Sequence, residues 1–113
     1  MKANFSITRM NQTLKGHSEI PITILVDPRL TTQARVVLIF ILTLPYEGFS
    51  LTVSNIANAI HMSQPMVRKA VNLLKDTGYI SIERIRMHRT LYGGYFWRVS
   101  DTAGTFTPTV RYE

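Results

Sequence analysis

Five residues in one short stretch, Gln64, Met66, Arg68 and Lys69 with Asn72 further along, have the chemistry to read a nucleic-acid duplex. A guanidinium can grip guanine or a phosphate, a glutamine amide can pair with adenine, and a methionine can touch a thymine methyl. Their place is an expected helix. Ser63 is a good N-cap, and Pro65 falls in the first turn, where a missing N–H costs nothing. The N-terminal end of that helix adds partial positive charge where a phosphate would lie. A second basic group follows at Arg84, Arg86, His88 and Arg89, in or near the tip of an expected β-hairpin. Arg84 and Arg86 are two apart and share a strand face. Long basic side chains on a hairpin can enter a minor groove or follow phosphates. The plainer readings are a solvated helix face, and Arg84 or Arg98 paired with Glu83 or Asp101 on a sheet surface.

These residues need elements to position them. Leu51 to Val71 reads as two helices joined by the turn His61-Met62-Ser63. The earlier helix covers about Val53 to Ile60, capped by Thr52, with Val53, Ile56, Ala57 and Ile60 inward. The later one, 64–77, buries Val67, Ala70, Val71 and Leu74, and Gly78 ends it in a left-handed conformation. His61 occupies a tight turn where positive φ is often needed. Upstream, a helix should start after the cap Thr31 and run to Leu44, before Pro45. Ala34, Val37, Leu38, Ile41 and Leu42 form its core stripe. Val36, Ile39 and Phe40 make it apolar on other faces too, so either the N-terminal strands or a second subunit covers it.

Residues 1–28 read as a β extension. Phe5, Ile7 and Arg9 alternate with Ser6 and Thr8, and Ile20, Ile22 and Ile24 with Pro21 and Thr23, with a loop from Asn11 to Glu19 and a turn at Asp27-Pro28. After Gly78, a strand Tyr79–Met87, a loop His88–Gly94 and a strand Tyr95–Ser100 make the hairpin. Gly93-Gly94 supplies its flexible side. Among Tyr92, Tyr95, Phe96 and Trp97, alternation must bury Phe96 or Trp97. Residues 101–113 are expected to be an arm, a linker or a frayed tail.

Composition agrees with a binder of polyanions. At 113 residues one domain is expected, and the net charge is +6. Met62 to Ser100 holds seven bases and two acids, so five of the six net charges lie in the proposed contact region. The absence of cysteine excludes disulfides and agrees with a reducing cytoplasm. The longest apolar run, Val36 to Leu42, has seven residues, against roughly 20 for a membrane span. His17, His61 and His88 are scattered and suggest no metal site. Glu19, Asp27 and Glu47 read as isolated, and no Ser–His–acid set or Gly-rich phosphate loop is present. Neither an enzyme nor a cofactor is expected.

The run Ser63-Gln64-Pro65-Met66-Val67-Arg68-Lys69-Ala70-Val71, followed by Leu73-Leu74 and Gly78-Tyr79-Ile80, resembles the winged-helix domains of bacterial GntR-like regulators. The resemblance implies that Ser63, Gln64, Met66, Arg68 and Lys69 face DNA; His61 departs from the usual Gly of those regulators. Asp27-Pro28-Arg29-Leu30, Ala34-Arg35, Leu44-Pro45, Ile56-Ala57, Gly78-Tyr79-Ile80 and Tyr92-Gly93-Gly94-Tyr95 look like a second group. Its members are helix-turn-helix replication initiators or replisome organisers of Gram-positive bacteria, phages and plasmids, similar to the N-terminal domain of the primosome protein DnaD. Several carry a further C-terminal domain, for which this chain is too short.

The expectation is therefore an α+β fold, a winged helix-turn-helix of three helices plus a β-hairpin wing at 29–100. An N-terminal β extension at 1–28 precedes it and a tail at 101–113 follows. The expected function is sequence-specific binding of double-stranded DNA through helix 64–77 and wing 84–94, as a homodimeric transcriptional regulator. Replication initiation on a plasmid or phage, and a protein–protein module on the same fold, are the alternatives.

Overall fold

Three helices begin and end where local chemistry stops them. In the computed structural model, which describes residues 4–8, 22–44, 49–86 and 92–107, α2 spans Thr32–Leu42, α3 Val53–Ile60 and α4 Gln64–Asp76. Each starts on an extended hydroxyl residue whose side chain accepts a backbone N–H three positions on: Thr31 from Ala34, Thr52 from Asn55, and Ser63 from Met66. Such caps satisfy donors that have no partner inside the helix. α2 stops two residues earlier than expected: the Thr43 N–H still reaches Ile39 O at 3.1 Å, but the Leu44 N–H closes on Ile41 O at 3.1 Å, a tighter three-residue turn that ends the α-helical pattern.

α3 and α4 end on left-handed residues. His61 has φ 57°, and the Met62 N–H returns to the Ala57 carbonyl at 3.0 Å. Gly78 has φ 83°, with Tyr79 N–H bonded to Leu74 O at 2.9 Å and Gly78 N–H to Lys75 O at 3.2 Å. That paired closure is a Schellman motif. The turn between α3 and α4 is therefore the three residues expected.

The expected core stripes pack together. Ala34, Val37, Leu38, Ile41 and Leu42 of α2 are buried, as are Ile56 and Ala57 of α3 and Val67, Ala70, Val71 and Leu74 of α4. Val53 and Ile60 are half-buried beside them. On the other faces of α2, Val36 is exposed and Phe40 meets Phe49 edge to face at 5.7 Å.

A three-stranded sheet supplies the second layer. It holds β1 (Phe5–Thr8), β2 (Ile80–Arg86) and β3 (Tyr92–Ser100) in the order β1-β3-β2. β2 and β3 are antiparallel, whereas β1 lies parallel to β3, with Phe5 opposite Trp97. A parallel pair needs a long crossover, and here that connection contains the helices. Phe5, Ile80, Trp97 and Val99 enter the core from the sheet.

Three expectations are corrected. Ile20, Ile22 and Ile24 do not alternate along a strand: Ile22–Leu25 is a short helix, α1, and Val26 N–H bonds to Ile22 O at 3.1 Å. Only Ile24 of that turn is buried, and Ile22 is 71% exposed. The apolar spacing of two thus never faced one surface. Ile20, Arg9 and the loop Asn11–Glu19 lie outside the described residues. The described residues hold four helices, one more than expected. Tyr92–Gly94 belongs to β3 and not to a loop. Arg84 pairs with Tyr95 but Arg86 with Tyr92, so β3 spends one more residue than β2 there, a bulge in which Gly94 has φ 100°.

Residues 101–107 turn back onto the end of α4. Gly104 N–H bonds to Thr77 O at 3.0 Å and Phe106 N–H to Gly78 O at 3.1 Å. No described helix is long and apolar enough to cross a membrane.

Candidate nucleic-acid interface

Burying one stripe of α4 leaves its other side to solvent. Ser63, Gln64, Met66, Arg68 and Lys69 are all exposed. They do not form a single cluster, because each residue turns the helix by about 100°. Gln64 and Arg68 are one turn apart and share one flank. Met66 and Lys69 lie on the opposite flank, where they line a shallow cleft of about 290 Å³ against Thr31 and Gln33. Ala70 and Leu73 line it as well. The helix therefore offers an amide and a guanidinium together, and a thioether and an ammonium separately.

β2 leads from the end of α4 and carries the second group. Arg84 is exposed; its Nη2 donates to the Tyr95 hydroxyl at 3.1 Å, and its Cζ lies 5.5 Å from the Tyr95 ring centroid. Arg86 lies in β2 opposite Tyr92. His88 and Arg89 fall outside the described residues. On the sheet's other face Arg98 pairs with Glu83 at 3.2 Å, both half-exposed. That is the plain surface ion pair expected for Arg98, and an exposed pair of this kind contributes little to stability. Trp97 is buried, as alternation requires, and Tyr95 is 50% exposed.

A constellation the sequence reading missed surrounds Asp27, which is buried and far from isolated. Its Oδ1 accepts from the Arg29 N–H at 3.0 Å and from Arg29 Nε at 3.1 Å. Its Oδ2 accepts from Arg29 Nη2 at 2.9 Å and from the Tyr79 hydroxyl at 2.8 Å. Arg35 Nη2 donates to the Asp27 carbonyl at 2.7 Å. The Arg29 hydrogen bond holds the carboxyl far below the usual carboxylate range, against the opposing effect of burial. Burial, then the bond to Asp27, push the Tyr79 phenol up to about 12. Asp-Pro-Arg signals the local Asx turn, but Tyr79 is 52 residues away and gives no sequence signal. These four donors already occupy the carboxylate, so it joins the α1–α2 corner to the start of β2. Among the described residues no group of three His, Cys, Asp or Glu is placed to hold a metal.

No family model, curated protein or solved structure matches this chain.

Proposed function

We propose that this chain binds double-stranded DNA sequence-specifically as a winged helix-turn-helix protein, acting in transcriptional control. α4 enters the major groove, and the β2–β3 hairpin lies against the neighbouring backbone or minor groove. The observation that carries the reading is the capped α4, which buries Val67, Ala70, Val71 and Leu74 and leaves Gln64 and Arg68 exposed one turn apart. The hairpin with exposed Arg84 follows it directly. A net charge of +6 supports attraction to a polyanion. Gln64 and Arg68 are the base readers in this arrangement, and Lys69 and Arg84 serve the phosphates.

The test is fluorescence anisotropy with a labelled mixed-sequence duplex, titrated from low to physiological salt. Tight binding that falls steeply with salt is expected. Absence of binding at low salt defeats the reading. Once a site is selected, Arg68→Ala should cost about 1–3 kcal/mol and loosen base preference. An equal loss on every duplex would show that α4 does not read sequence.

One observation favours a second reading, a protein–protein module. Ile22, Leu25 and Val26 are 71%, 51% and 64% exposed, three large apolar side chains within five residues. Such a surface suits a partner protein, or the second subunit of a homodimeric regulator. Light scattering distinguishes a monomer from a dimer with and without DNA.

A further inference from the structure

Arg84 and Tyr95 face each other across β2 and β3, two pairs beyond Ile82 and Trp97 and past Glu83 and Phe96. Strand alternation puts them on the same side of the sheet as Trp97 and Val99, which are buried in the core. The hairpin outruns the core at this point, so the inner face continues as a cation and a phenol, both exposed. Two contacts tie the guanidinium to Tyr95: its Cζ lies 5.5 Å from the ring centroid, and its Nη2 donates to the hydroxyl at 3.1 Å. Tyr95 is itself anchored. Its carbonyl accepts from Asn4 Nδ2 at 3.1 Å, and the N–H of Trp97 donates to Asn4 O at 2.8 Å. The bulge at Gly93-Gly94 follows immediately, and such bulges bend a hairpin and re-aim its side chains.

The geometry points to Tyr95 as the positioning residue that orders the Arg84 guanidinium for a DNA phosphate before the DNA arrives. This rests on the DNA-binding reading above. A guanidinium has five N–H donors in a planar fork that matches phosphate oxygens, and the Tyr95 hydroxyl engages one edge of it. An arginine already held in place loses less freedom on contact, which favours binding without adding any interaction.

The experiment compares the unaltered protein with Arg84→Ala, Tyr95→Ala, Tyr95→Phe and the double alanine variant, by anisotropy on one labelled duplex across a salt series. Tyr95→Ala should weaken binding nearly as much as Arg84→Ala, each about five- to tenfold. The double variant should bind no worse than Arg84→Ala alone, because the two residues act as one unit. Tyr95→Phe keeps the ring without the hydroxyl and should fall between. The salt slope of Tyr95→Ala should drop toward that of Arg84→Ala although no charge has been removed. Thermal melts should be close to unaltered, since both side chains are exposed. Full affinity and an unchanged slope in Tyr95→Ala would overturn the positioning role, as would additive losses or a harmless Arg84→Ala. Each of those outcomes leaves DNA binding by the unaltered protein standing. Failure of the unaltered protein to bind at low salt is a separate result, and it removes both readings.

Discussion

Asp27 shows how one side chain organises a corner of this molecule. It accepts four hydrogen bonds, three from Arg29 and one from Tyr79. Asp27→Asn keeps the size and loses the charge, so it should lower stability by about 1–3 kcal/mol in urea denaturation at neutral pH. Tyr79→Phe removes one donor and should cost about 1 kcal/mol. The sign of the pH dependence follows from the two titrations. Asp27 is held below its ordinary value, so its contribution is complete above about pH 5 and is lost as pH falls through about 3.9 and lower. Tyr79 is raised to about 12, so its contribution is complete below about pH 10 and disappears as pH rises through its folded value. Urea midpoints measured from pH 3 to 11 should fall at both ends, and the acid fall should shrink in Asp27→Asn.

Among the elements, the two hairpin-side glycines separate strain from space. Gly78 has φ 83°, and a Cβ there would stand 2.6 Å from the Gly104 Cα. Its Schellman closure of α4 and the returning residues 101–107 thus need a glycine for two reasons. Gly94 has φ 100° with nothing within 4 Å of its Cβ position, so only backbone strain opposes substitution. Gly78→Ala should cost at least about 2 kcal/mol, and Gly94→Ala about 1 kcal/mol. Chemical denaturation of the two variants side by side checks the order. Equal costs would mean that the Gly78–Gly104 approach relaxes freely. Gly94→Ala should also disturb the bulge, and with it the pairing of Arg86 with Tyr92.

At the scale of the whole molecule, Asn4 joins three parts of the chain. Its side-chain amide donates to Leu51 O at 2.9 Å and to Tyr95 O at 3.1 Å, and its Oδ1 accepts from Leu51 N–H at 2.7 Å. Leu51 precedes the cap of α3, and Tyr95 lies on β3. One amide therefore fixes the helix pair against the hairpin, the two surfaces proposed to grip DNA. Asn4→Ala should lower stability by about 2–3 kcal/mol. Asn4→Asp retains the acceptor for Leu51 N–H but sets a carboxylate oxygen against the Leu51 and Tyr95 carbonyls, and should cost at least as much as Asn4→Ala in the same urea titration.

The sequence by itself determined the three long helices. The caps Thr31, Thr52 and Ser63 and the left-handed stops His61 and Gly78 act over three to five residues, so their partners stand beside them in the chain. The same local periodicity placed Gln64 and Arg68 outside and Val67, Ala70, Val71 and Leu74 inside. Tertiary structure decided what depends on distant surfaces. Whether Ile22 and Ile24 share a face turned on how much core was within reach, and only Ile24 found any. β1 joined β3 because Phe5 fits beside Trp97, across 92 positions of sequence. Asp27 met Tyr79, Asn4 met Leu51 and Tyr95, and Tyr95 came to hold Arg84 through contacts that no spacing rule connects. Short-range hydrogen bonds are encoded in neighbouring residues, whereas burial and long-range pairing exist only once the chain has closed on itself.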